Sequence, residues 1–310
     1  MTIHVLCLNP AIDKIYRIDG FAAGEDYPGQ RPESYVGGKG VNVARVLSQL
    51  GASVCLYAFL GDTGGEGVRR EMEARCACRF VQVAGACRTT VNIVDGASGR
   101  ETVITEAGPR VTEADVDALF AALRAGIRPG DIVCCSGSII AGAPEDIYAR
   151  VFRMCEELGA TCALDCNVRA LPASLEGARY ALGKPNEREL CALLGEPRTQ
   201  DAHELARLAR RVMPPYEALL VSMGAQGGVL VTADAAYRAH VPETRVVSTV
   251  GSGDASLAGA LYAMANGSAP EEMLRLAMAC GVANAMRAQI GSVTRQDLAL
   301  VLKNMDIEEL

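Results

Sequence analysis

The residues Thr249-Val250-Gly251-Ser252-Gly253-Asp254 have the types and spacing needed to move a charged group. They follow an apolar run and lead into Ala255-Ser256-Leu257-Ala258-Gly259-Ala260, which reads as a helix. Glycines at such a turn let the backbone approach a ligand closely. The free N–H groups of a first helical turn favour an anion. Gly251, Ser252 and Gly253 can thus form an anion nest. Asp254 beside it could take the proton of a hydroxyl that attacks a γ-phosphate. A plain glycine turn with Asp254 as helix cap fits the same residues. The segment is not a Walker A loop, because the GxxxxGK spacing is missing.

Other constellations accompany it. Gly37-Gly38-Lys39-Gly40-Val41-Asn42 offers close approach, a charge and an amide at a helix start. It suits a sugar or a phosphate, and it also reads as an ordinary loop closing onto a helix. No GxGxxG dinucleotide fingerprint is present. In Lys184-Pro185-Asn186-Glu187-Arg188-Glu189, Asn186 and Glu189 share one face if a helix begins there. They could orient water around magnesium or simply cap the helix, with Pro185 starting it. Asp13 follows the first strand, where open α/β sheets gather ligands, and could bind sugar hydroxyls. Arg88 opens a strand-like run and could reach a distal phosphate. Ser136-Gly137-Ser138 is a polar turn after a strand, with no GxSxG elbow. His4, His203 and His240 have no ligand-like spacing.

Such residues need a rigid frame. The chain has 310 residues, half of them hydrophobic, enough for one large domain or one with an appendage. The net charge of −7 argues against a general nucleic-acid or anionic-membrane surface. Cys7, Cys55, Cys134, Cys135, Cys162 and Cys280 lie in apolar runs, as buried thiols of a reducing compartment do. Cys76 and Cys78 have no second pair to complete a zinc site. No signal peptide or membrane span is legible, so a cytoplasmic location is expected.

Apolar runs at Ile3–Leu8, Val54–Leu60, Asp131–Cys135, Ala160–Asp165 and Ala218–Met223 read as strands. Helical patterns at about 41–50, from Thr112 onward, and at about 144–158, 174–180 and 201–212 separate them. This rhythm predicts an α/β fold with a largely parallel sheet covered on both faces. Ile15–Ile18, Thr89–Val94 and Glu101–Thr105 break the rhythm and read as a small accessory sheet.

In this order, these motifs resemble those of the ribokinase-like, or phosphofructokinase-B, carbohydrate kinases. Gly37–Asn42 looks like the N-terminal signature, Thr249–Asp254 like the C-terminal one, and Lys184-Pro185-Asn186 with Glu189 like KPNxxE. Leu8-Asn9-Pro10-Ala11-Ile12-Asp13, Val41-Asn42-Val43-Ala44-Arg45, Gly108-Pro109 and Gly137-Ser138 resemble the branch of 1-phosphofructokinase, tagatose-6-phosphate kinase and the minor 6-phosphofructokinase. The resemblance implies a single Rossmann-like domain over 1–310, with a discontinuous β lid from about 14–36 and 88–106. It also implies ATP and Mg2+, and often a homodimer through the lids. Asp254 would be the general base and Gly251, Ser252 and Gly253 the anion hole. Asp13, Gly38, Lys39 and Asn42 would contact the sugar, with Ser138 on the same side. Arg88 and Lys184 would hold its phosphate. Asn186 and Glu189 would organise magnesium, largely through water. Ser222, Gly224 and Gly227 would line the nucleotide site, with Asn284 near the base or ribose.

The departures fall on the sugar side. Gly24-Glu25-Asp26-Tyr27-Pro28 lacks the branch's Asn-Arg, though Arg31 stands nearby. Thr90 and Asn92 occupy positions where the family has asparagine and lysine. Asp165-Cys166-Asn167-Val168 replaces Asp-x-Ser-Gly. The expected reaction is phosphorylation of a sugar phosphate at a primary hydroxyl, with fructose 1-phosphate first and tagatose 6-phosphate or fructose 6-phosphate next. An unphosphorylated sugar or nucleoside acceptor, or a non-catalytic sensor, is the alternative.

Overall fold

The computed structural model describes residues 1–310. The chain begins with β1 (Ile3–Cys7), β2 (Ala11–Arg17), β3 (Glu33–Gly37), α1 (Lys39–Gln49), β4 (Val54–Thr63) and α2 (Gly65–Glu73). There follow β5 (Ala77–Ala86), β6 (Arg88–Val94), β7 (Glu101–Thr105), α3 (Glu113–Gly126), β8 (Ile132–Ser136) and α4 (Ile147–Leu158). The middle holds β9 (Thr161–Asp165), α5 (Leu171–Leu175), β10 (Tyr180–Gly183), α6 (Glu187–Leu194), α7 (Ala202–Val212) and β11 (Tyr216–Ser222). The C-terminal part is β12 (Gly228–Thr232), β13 (Ala236–His240), α8 (Ser252–Ala265), α9 (Pro270–Ala285), α10 (Arg295–Lys303) and β14 (Asp306–Glu309).

Ten strands form one sheet in the order β14-β13-β12-β11-β10-β9-β8-β1-β4-β5. From β11 to β5 the pairs are parallel, and β11 to β14 are joined antiparallel. Alternate residues of each strand enter opposite cores, as a pleated strand requires. Val5, Leu56 and Ala58 pack under α1, α8 and α9. Leu6, Tyr57 and Phe59 pack under α3, α4 and α7. A ribokinase-like α/β fold results, with helices on both faces of a mostly parallel sheet. A separate four-stranded sheet runs in the order β3-β2-β6-β7, with β2 parallel to β6 and the other pairs antiparallel.

Both edges of the large sheet were unexpected. Residues 77–86 form the edge strand β5, and β13 and β14 extend the other edge. The charged run Asp306–Glu309 has no intrinsic strand signal and becomes one by pairing with β13. The helix expected near 174–180 lies earlier, at Leu171–Leu175, and Tyr180 opens β10. Pro185 precedes the cap of α6 rather than starting the helix. All twelve cysteines are free, and only Cys76 and Cys78 are part-exposed. No helix is long and apolar enough to cross a membrane.

Candidate active site

The parallel strands end on one edge of the sheet, and the polar residues cluster there. Ser136 closes β8 in register with Asp165, which closes β9. Helix α1 begins at that edge with Lys39, after Gly38 at φ 105°. Helix α8 begins there with Ser252, after Gly251 at φ 78°. A methyl on Gly251 would come within 2.7 Å of Ile290, so both conformation and space demand glycine.

Asp254 is the third residue of α8 and caps nothing. The backbone N–H groups of Gly253 and Asp254 donate to no acceptor within the protein. Gly253 faces Lys184, whose Nζ would lie 3.3 Å from a Cβ there. Asp254 is 8 % exposed, and Asn42 Nδ2 donates to its Oδ2 at 2.8 Å. Burial pushes the Asp254 carboxyl up to about 6. The Asp165 charge adds to that rise, while Lys39, the Asn42 hydrogen bond and Lys184 oppose it.

Asp165, 2 % exposed, lies between two ammonium groups. Lys39 Nζ donates to Oδ1 at 3.2 Å, and Lys184 Nζ stands 3.5 Å from Oδ2. The Asp165 charge holds Lys39 well above the usual amine range, with smaller help from Asp254 and Glu189. Asp165 entered the sequence reading only as a motif departure, although a polar residue ending an apolar run is itself a signal for the carboxyl edge.

Beside this group opens a cleft of about 180 Å³ lined by Cys7, Asn9, Lys39, Arg88, Ser136, Gly137, Ser138 and Asn167. Arg88 Nε donates to the Asn9 carbonyl at 3.2 Å. Asn9 Oδ1 and Ser136 Oγ are buried and have no partner within the protein. Buried polar atoms left unpaired at a cleft favour a polar ligand. Asn9, Ser136 and Asn167 were missed as candidates, and only their positions after strands hint at them.

Asp13 does not line the cleft. It lies in β2, over Gly37, where any Cβ would collide with its carboxylate. Burial pushes its carboxyl up, against the Thr90 hydroxyl and the Arg88 and Arg45 charges. Asn42 is 5 % exposed, with one amide hydrogen on Asp254 and its carbonyl oxygen taken by Arg45 at 2.9 Å.

Asn186 and Glu189 form a reciprocal cap on α6. Asn186 Oδ1 accepts from the N–H groups of Arg188 and Glu189, and Glu189 Oε2 accepts from Asn186 N, each at 2.9 Å. Capping therefore coexists with a free Glu189 oxygen, whose charge is felt at Lys39. Ser222 pairs with Asn186 across a bridge. Gly224 (φ 59°) and Gly227 (φ 86°) bound the short turn that follows β11.

Asn284, expected near a base or ribose, lies buried behind the turn before α8. It is 1 % exposed, and its amide donates to Val250 O at 2.9 Å and Ser252 Oγ at 3.1 Å. Its oxygen accepts from Gly291 N at 2.8 Å and Ser292 N at 3.3 Å. Asn284 is spent on fixing the turn before α8.

The profile described as pfkB family carbohydrate kinase matches residues 5–294. The chain belongs to the pfkB family. Within it, the chain falls in the branch of phosphofructokinase-2, 1-phosphofructokinase and tagatose-6-phosphate kinase. It is 30 % identical to the tagatose-6-phosphate kinase of Staphylococcus epidermidis, over 99 % of this chain and 100 % of that protein. Its fold matches Escherichia coli phosphofructokinase-2 in complex with fructose-6-phosphate, with a TM-score of 0.87 and 24 % identity over 97 % of this chain and 98 % of that one. It also matches a structure from Thermotoga maritima described as a possible 1-phosphofructokinase, with a TM-score of 0.86 and 23 % identity over the whole of both chains.

A pfkB kinase implies ATP with magnesium. No group of three or more His, Cys, Asp or Glu side chains converges as a metal cage. One free carboxylate oxygen on Glu189 still fits, because magnesium keeps several waters and leans on substrate phosphates. The unpaired N–H groups at the start of α8 fit a phosphoryl group.

Proposed function

We propose that this chain is an ATP-dependent sugar-phosphate kinase acting on a primary hydroxyl, with fructose 1-phosphate as first acceptor and fructose 1,6-bisphosphate as product. The observation that carries this reading is the buried Asp254 carboxylate, tied to Asn42 beside two unpaired backbone N–H groups. The acceptor hydroxyl gives its proton to Asp254 as its oxygen bonds to the γ-phosphorus. The bond from that phosphorus to the β,γ-bridging oxygen breaks, and ADP leaves. The N–H groups of Gly253 and Asp254, in the nest with Gly251 and Ser252, meet the charge on the transferring group. Magnesium, when bound, neutralises β- and γ-phosphate oxygens. Glu189 would hold it through water, with Asn186 fixing the Glu189 carboxylate. Ser222, Gly224 and Gly227 border the nucleotide.

Lys39 and Arg88 line one cleft and supply the charge for the acceptor's existing phosphate. Lys184 reaches the same group of charges through Asp165. Ser138, Gly38 and the unpaired Asn9 and Ser136 atoms offer hydrogen bonds to sugar hydroxyls, and Asp13, on the small sheet over Gly37, would contact the sugar from that side. The small sheet would act as a lid that excludes water. Its outer strand β7 exposes Val103 and Ile104, at 53 % and 55 %, and fits a second copy of the chain.

The test is substrate-dependent ADP release across sugar phosphates, free sugars and nucleosides. Turnover restricted to unphosphorylated acceptors would refute the phosphate part. Tagatose 6-phosphate is the second candidate, favoured by the staphylococcal relative's name. A free sugar is the further alternative, favoured by the missing lid arginine and by Asn92 in place of the family's lysine.

A further inference from the structure

Arg45 is the bulkiest of the fully buried side chains, at 1 % exposure, and no role in the reaction has been given to it. A buried guanidinium is costly unless every donor is used. Here the donors reach four separate segments. Nε donates to Glu71 Oε1 on α2 at 2.9 Å. Nη2 donates to the Val36 carbonyl of β3 at 2.6 Å. Nη1 donates to the Ile290 carbonyl at 3.2 Å and to Asn42 Oδ1 at 2.9 Å.

The last bond decides how the Asn42 amide faces. Its oxygen is held by a cation that can only donate, so its nitrogen must point the other way, at Asp254 Oδ2. With the amide turned over, its oxygen would confront the carboxylate and repel it. The Ile290 bond acts on the same centre, since Ile290 packs against Gly251. The Val36 bond anchors the end of β3 that runs into Gly37 and Gly38.

We propose that Arg45 is a positioning residue for phosphoryl transfer. It locks the Asn42 amide so that the base is ionised and aimed, and it ties that base to the root of the small sheet. The inference rests on the reading of Asp254 as the base. The charged groups around Asp254 are Asp165, Lys39 and Lys184. Those around Arg45 are Glu71, Arg75 and Asp13. None of them can replace a fixed amide N–H on Asp254 Oδ2.

The test is a mutant cycle of R45K, N42A and the double variant, with pH profiles of kcat/KM and melting curves. R45K keeps the charge and loses the planar fork. It should lower kcat by about 10²-fold, as a small misplacement of a reacting group does, with little change in KM for ATP. The acid limb should move up by about one pH unit, the usual spread for carboxyls. N42A should move it similarly, and adding R45K to N42A should move it no further. E71Q is the control for stability alone, and should melt earlier with the limb in place. R45M/E71Q removes the buried pair together and preserves the fold, so it should repeat the R45K limb shift. An unmoved limb in R45K and R45M/E71Q, or full additivity with N42A, would overturn the proposal. Full turnover by Asp254→Asn would instead refute the base assignment itself, so the two failures are distinguishable.

Discussion

Asn42 donates to Asp254 across 2.8 Å, joining the first turn of α1 to the first turn of α8 over 212 residues of sequence. The bond links the two glycine-led helix starts at one edge of the sheet. Asp254 is otherwise a costly residue, buried and close to the Asp165 charge. That cost fits the role proposed for it, because function tolerates local destabilisation that packing alone would remove.

Replacing Asp254 by asparagine should therefore separate activity from stability. Turnover should fall at least about 10²-fold, as loss of a general base does, while sugar and nucleotide binding persist. The folded carboxyl sits at about 6, above its unfolded value of 3.8. Its ionised form thus opposes folding fully above about pH 6 and not at all below the unfolded value. The variant should gain on the order of 3 kcal/mol at pH 8, at about 1.4 kcal/mol per pKa unit. That gain should fade as pH drops through 6 toward 4. Urea unfolding at three pH values measures it, and a loss of stability at pH 8 would contradict the account of Asp254.

The same raised carboxyl sets the acid side of the rate profile. The kcat/KM for the acceptor should fall below about pH 6 as Asp254 is protonated. In Lys39→Met the limb should move upward, because Lys39 opposes the rise. A limb that stays at the same pH in that variant would show that another group controls it.

One substitution can divide the cap made by Glu189 from the magnesium role proposed for it. Glutamine at this position still accepts from Asn186 N and retains the cap. Glu189→Gln should therefore melt within a degree or two of the parent while needing several-fold more Mg2+ for half-maximal rate. Unchanged magnesium dependence would remove Glu189 from the metal's surroundings.

The small sheet carries a separate prediction. Ile104→Glu places a charge on the exposed face of β7. Sedimentation should show the parent chain as a dimer and the variant as a monomer. A monomeric parent would end the lid-pairing proposal.

The two glycine-bearing helix starts, Gly37–Asn42 and Thr249–Asp254, were legible because helix starts are local matters of sequence. The covering of the sheet on both faces was legible from its apolar strand runs. Asp165, Asn9 and Ser136 were not, since their importance comes from neighbours brought by parallel pairing of distant strands. The bonding of Asn284 was not legible, because sequence cannot show that an amide has been consumed internally. Arg45 sat inside a quoted motif, and only its burial turned it from a helix-surface cation into a four-way tie.

Arg88 offers the sharpest decision about the acceptor. It lines the cleft with Lys39, its one protein bond runs to a backbone carbonyl, and although its charge is felt at Asp13 it forms no salt bridge. A phosphorylated acceptor would be the natural counter-ion. Arg88→Ser should raise KM for the sugar phosphate by at least tenfold, the loss expected for one charge-assisted contact of about 1.5–3 kcal/mol. KM for ATP should be nearly unchanged, and weak turnover of the corresponding free sugar should be unaffected. If the variant loses free-sugar and sugar-phosphate turnover alike, Arg88 supports the cleft's shape and the acceptor's phosphate binds elsewhere.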